Sequence, residues 1–85
     1  MIYGCLIICR SITYAQRAQK ILRSMGYTVS IVRPGPEIIG ESCGYALKIS
    51  QYYLTGAVSL LRKNGIEPVK IVNVDENGNV LQVKI

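Results

Sequence analysis

Apolar positions along this chain change their period several times, and each change marks an element. From Ile2 to Cys9 nearly every position is apolar and three are β-branched isoleucines, the pattern of a strand with both faces to bury. Ser11, Ile12 and Thr13 follow as helix N-cap candidates, with Thr13-x-x-Gln16 fitting a capping box. Ala15, Ala18, Leu22 and Met25 then recur on one helical stripe with Ile21 at its edge, and Gly26 suits the left-handed residue that ends a helix. Tyr27 to Arg33 alternates, with Val29 and Ile31 on one face and Thr28 and Ser30 on the other, until Pro34 stops it.

After a Gly/Pro-rich stretch from Pro34 to Gly44, Tyr45, Leu47 and Ile49 alternate with Ala46, Lys48 and Ser50. Ser50 is placed to cap a second helix from Gln51 to Lys63, with Leu54, Ala57, Val58 and Leu61 inward and Asn64-Gly65 ending it. Gly56 inside that helix reads as room for close approach of the partner helix. Val69 to Val74 and Val80 to Ile85 make two more strands, and Asn77-Gly78 between them is a hairpin signal. The order is β-α-β-β-α-β plus one hairpin strand. It predicts an α+β, ferredoxin-like split arrangement in a single domain over residues 1–85, with both helices on one face of an antiparallel sheet and the first and third strands at its centre. Only one face of the apolar first strand can meet the helices. The other is expected to meet a second copy of the chain, giving a homodimer.

Composition narrows the classes. The 85 residues carry a net charge of +5 and no histidine. Arg17, Lys20 and Arg23 share a helix face and read as solvated charge. Nucleic-acid binding is not favoured, since neither Phe nor Trp is present to stack on bases and no aromatic ribonucleoprotein signature occurs. The apolar opening is about half a membrane span and lacks a signal peptide's basic start, so a soluble, cytoplasmic protein is expected. Three cysteines, an odd number, argue against a disulfide scaffold. Cys5 and Cys9 would lie on one strand face about 13 Å apart, too far to bridge. With no Cys-x-x-Cys, no metal or organic cofactor is expected.

Cys43, followed by Gly44, stands where the Gly/Pro-rich loop meets a strand, a place that presents a side chain more readily than it packs one. The topology sharpens this. The first two strands run in the same direction, so the loop from Pro34 to Gly44 lies over Arg10, Ser11 and the start of the first helix. The third strand runs antiparallel, which brings Cys43-Gly44 near Cys9-Arg10. A helix dipole, the Arg10 guanidinium and loop amides that Gly40 and Gly44 allow to approach would each favour thiolate, placing the Cys43 pKa below the free thiol's ~8.5. Arg33 adds to this field; Glu37 and Glu41 oppose it if they point inward. Cys9 is the candidate resolving thiol, provided the register brings it within about 6 Å of Cys43, Cα to Cα.

The helix Thr13-x-Ala15…Ala18…Leu22…Gly26, the Pro-bearing loop and the run Ser42-Cys43-Gly44-Tyr45-Ala46-Leu47-Lys48 resemble the small bacterial family of Se/S carrier-protein-like domains, over about residues 2 to 65. The resemblance implies that Cys43 carries sulfur or selenium as a persulfide or selenyl-sulfide. Its partners would then be sulfur- or selenium-donor and acceptor proteins. Glu37 follows Pro36 where many family members have a basic residue, so the resemblance assigns no anion-binding role there. The Cys-Pro-x-Pro motif of other sulfur-relay proteins is absent. A second reading is a binding module that holds a small anionic ligand or a protein between Arg10 and the loop, with Cys43 as packing. An independent enzyme is disfavoured, because no histidine, carboxylate pair or nucleotide-binding glycine motif is present.

Overall fold

The structure is a computed structural model, and it describes residues 4–35 and 45–84. Its elements are β1 (Gly4–Cys9), α1 (Ile12–Ser24), β2 (Ser30–Val32), β3 (Tyr45–Ile49), a 3-10 turn (Gln51–Tyr53) leading into α2 (Leu54–Lys63), β4 (Lys70–Val74) and β5 (Val80–Val83). The five strands form one antiparallel sheet in the order β2-β3-β1-β4-β5. The first four strands have the ferredoxin-like order, and β5 is added on the outside of β4. The apolar β1 sits at the centre, as its sequence requires, paired with β3 from Cys5↔Ile49 to Cys9↔Tyr45 and with β4 from Gly4↔Val74 to Ile8↔Lys70.

Strand alternation splits β1 between two cores. Cys5, Ile7 and Cys9 join Leu47, Ile49 and Ile71 under the helices, against Ala15, Ala18 and Leu22 of α1 and Leu54, Ala57, Val58 and Leu61 of α2. Leu6 and Ile8 point the other way, with Ala46, Val72 and Val74, into a second cluster to which neither α1 nor α2 contributes. Those five side chains are 0–2% exposed within a single chain. A second copy is therefore not what removes them from water, and the reason given for expecting a dimer does not apply to them. No helix among the described residues is long and apolar enough to cross a membrane.

Most local expectations hold, with three corrections. Ser11, not the Thr13 box, caps α1: its Oγ accepts the Tyr14 N–H at 3.3 Å. Met25 falls past the last helical turn as C-cap and is 65% exposed, so the inward stripe ends at Leu22. The strand expected over 27–33 shrinks to Ser30–Val32, because the chain spends Gly26 (φ 89°) and the following residues on leaving the helix. The Asn-Gly signal gives the expected hairpin, closed around three loop residues. Gly78 N–H donates to the Asp75 carbonyl, Gly78 takes φ 85°, and Asp75 N–H donates to the Asn79 carbonyl. The Asp75 carboxylate also accepts the N–H groups of Asn77 and Asn79, which holds its pKa below the ordinary carboxylate value.

Gly56 does permit a close approach, though not of α1 itself. A Cβ built there would stand 2.8 Å from the hydroxyl of Tyr27, in the segment after α1, whose ring meets Tyr53 edge-on at 5.8 Å. Helix propensity favours Ala over Gly by about 1 kcal/mol at an interior position, and this contact opposes it. Gly56→Ala is therefore expected to gain little or lose stability in the wild-type chain. In a Tyr27→Phe background it should gain about 1 kcal/mol. Chemical denaturation of the four chains of that cycle measures the difference; equal effects of Gly56→Ala in both backgrounds would show that the hydroxyl is not what the glycine accommodates.

Candidate functional site

The end of the sheet where β1 stops and β3 starts collects the residues singled out by sequence. Cys9 closes β1 and faces Tyr45, the first residue of β3. Arg10 and Ser11 lead straight into α1, whose first-turn N–H groups ahead of Tyr14 have no partner inside the helix. β2 ends at this same edge, so Arg33 leaves the sheet on the far side of β3 from Arg10. With neighbouring strands about 4.8 Å apart, the backbones carrying the two arginines flank β3 at roughly 10 Å from each other. Lys70 opens β4 at this end, and Lys84 follows β5.

Both arginines are held by tyrosines. The Arg10 guanidinium carbon lies 5.5 Å from the centre of the Tyr14 ring, and that of Arg33 lies 5.6 Å from the centre of the Tyr45 ring. Stacking of this kind contributes roughly 0.5–1 kcal/mol at exposed positions and orients the guanidinium without using its N–H donors. Neither arginine is ion-paired among the described residues, where the one ion pair joins Arg62 to Glu67 at 2.9 Å. Among the described residues the rim is thus electropositive, with Arg10 and Arg33 each one residue beyond a strand end. The two tyrosines were not anticipated from sequence. The i, i+4 spacing of Arg10 and Tyr14 could have revealed the first; the second depends on the β2–β3 register.

The two described thiols are not part of any exposed surface. Cys5 is 2% and Cys9 3% exposed, both in the core beneath the helices. Burial pushes the Cys5 thiol above the ordinary thiol pKa, so it stays protonated at neutral pH, with a weak contact of 3.8 Å to Asn73 Oδ1. Cys9 Sγ lies 3.6 Å from the Ile7 carbonyl, within hydrogen-bond range for sulfur. The residue facing Cys9 is Tyr45, two positions along the chain from Cys43. Cys43 and Gly44, with Glu37, Gly40 and Glu41, lie outside the described residues. Among the described residues no three His, Cys, Asp or Glu side chains come together in a way that could hold a metal ion.

A labelling experiment follows from these burials. In the folded protein a thiol reagent should modify Cys5 and Cys9 only at the rate of global unfolding, while both react at once in denaturant. Peptide mapping after brief exposure reads this directly, and rapid native modification of either would contradict their placement in the core.

Residues 4–73 match the model of a protein family described as "Putative Se/S carrier protein-like". No curated protein and no solved structure matches the chain.

Proposed function

This chain belongs to the Se/S carrier protein-like family, and we propose that Cys43 is its sulfur- or selenium-carrying thiol. The observation that carries the reading is the burial of the other two sulfurs. Cys5 and Cys9 are committed to packing beneath the helices, so of the three thiols in the chain Cys43 is the remaining candidate. Its place in the chain supports the same choice. Two residues of chain span at most roughly 7 Å, which tethers Cys43 to Tyr45 at the basic end of the sheet.

The rim suits an anionic sulfur. Arg10, Arg33 and the N-terminal end of α1 set up a positive potential there, and positive potential favours thiolate over thiol and persulfide anion over its conjugate acid. The transfer needs no redox partner. The Cys43 thiolate attacks the outer sulfur of a donor protein's persulfide, a new S–S bond forms, and the donor's own S–S bond breaks as its cysteine leaves as thiolate. Delivery is the same exchange in reverse order, with an acceptor thiolate as nucleophile. A selenium atom in the outer position would follow the same course. Donor and acceptor proteins are the partners this reading requires.

Incubation with a cysteine desulfurase and cysteine should add the mass of one sulfur to a peptide containing Cys43, and Cys43→Ser should abolish the addition. Arg10→Gln and Arg33→Gln together should slow loading several-fold while leaving the melting temperature nearly unchanged, since both side chains are exposed at Cζ-to-ring contacts worth little to stability. The proposal fails if no sulfur is found on Cys43 while an unrelated carrier in the same tube is loaded.

A further inference from the structure

The helix layer carries a second charged surface, distinct from the sheet end. Neither helix contains an acidic residue, whereas α1 exposes Arg17, Lys20 and Arg23 and α2 ends in the exposed pair Arg62 and Lys63. Glu67, in the segment after α2, is bonded to Arg62. Scattered along the sequence these cations read as ordinary solvated charge. In the fold they share the outer side of one two-helix layer, and that layer also exposes aromatic rings.

Tyr52 is 95% and Tyr53 57% exposed at the start of α2, and Tyr27 stands edge-on to Tyr53 across the gap left by Gly56. Beyond Tyr52, which lies in the 3-10 turn, the solvent-facing Thr55, Ser59, Arg62 and Lys63 of α2 line a shallow hollow. A neighbouring hollow joins Ser59 and Lys63 to Tyr27 and Met25. Aromatic faces thus stand at one end of the groove and cations at the other, roughly 16 Å apart along the helix, with small hydroxyl side chains between. That is enough for a few nucleotides of an extended strand.

We propose that this helix face binds single-stranded nucleic acid, with a base stacked on Tyr52 and the phosphates on Lys63 and its basic neighbours. The occupant is chosen by charge and by shape. Two helices without an acidic residue of their own attract a polyanion, and exposed rings beside the cations offer bases a π-face, as single-strand binding surfaces do. An acidic protein would be drawn by the same charge, but it would want an apolar centre to bury. Here the hydroxyls of Thr55 and Ser59 line the hollows together with the cations, and Met25 and Leu60 are confined to the side next to Tyr27. The absence of Phe and Trp, which argued against nucleic acid at the level of composition, is met by tyrosines that the fold leaves uncovered. The inference is independent of Cys43.

The test is a fluorescence-anisotropy titration of the full chain with a short labelled oligouridine, beside an oligoglutamate of equal charge and vesicles rich in phosphatidylglycerol. Oligouridine should bind more tightly than the other two. Three phosphate contacts would give a slope of log affinity against log salt of about −2. Tyr52→Ala should weaken binding by at least about fivefold with the slope unchanged, because stacking releases no counterions. Lys63→Ala should make the slope shallower by about 0.7. Both residues are exposed, so circular dichroism melts should match wild type. Oligoglutamate or vesicles bound as tightly as RNA, no effect of Tyr52→Ala, or no binding at low salt would each overturn the proposal.

Discussion

The structure depends on the antiparallel pairing of β1 with β3 in the register that sets Cys9 against Tyr45. One central strand with apolar residues on both faces must be covered on both, and the register decides which side chains go where. It sends Cys5, Ile7 and Cys9 beneath the helices and Leu6 and Ile8 to the opposite face. A shift by one residue would exchange the two sets and bring both thiols out from under the helices. It would also move Tyr45 away from the end of β1. Burial of two sulfurs and placement of Tyr45 opposite Cys9 at the end of β1 are thus consequences of the same ladder.

Charge is organised around that ladder in two separate ways. At the sheet end, Arg10 and Arg33 follow the last residues of the strands on either side of β3, and each lies over a tyrosine that packs against the core. A guanidinium stacked in this manner loses less freedom when it meets an anion than one on a loose side chain, which suits a site where negative charge comes and goes. On the helix layer the cations are more widely spread and the rings uncovered, which suits a ligand that supplies its own repeated charges. The two surfaces share the excess of basic over acidic residues, but they offer different chemistry.

Much of the fold was legible because period and burial coincide in this chain. The unbroken apolar run of β1 announced a central strand, and the inward positions of α2 follow the helical stripe residue for residue. What sequence missed was decided by backbone details. Met25 continues the α1 stripe in spacing, but the helix ends before it, and no periodicity reports where a helix stops. Ser11 was among the cap candidates, but the Thr13 box does not form, because the cap is set by which residue is extended, here Ser11 with φ −159°. Gly56 signalled a close approach correctly, but its partner was a tyrosine hydroxyl from a connecting segment, which only tertiary packing can reveal. At the site, the meeting of Cys9-Arg10 with the start of β3 followed from topology alone. The tyrosines beneath the arginines did not, since Tyr45 meets Arg33 through strand register.

The central claim is that the β1–β3 register leaves Cys43 as the thiol of an electropositive rim. Its most direct test is the pH dependence of alkylation at Cys43, followed by mass spectrometry with Cys5 and Cys9 as internal references. The account predicts a midpoint below the ~8.5 of a free thiol, moving upward in Arg10→Gln. A midpoint at or above that value, unchanged by removing the arginine, would contradict it.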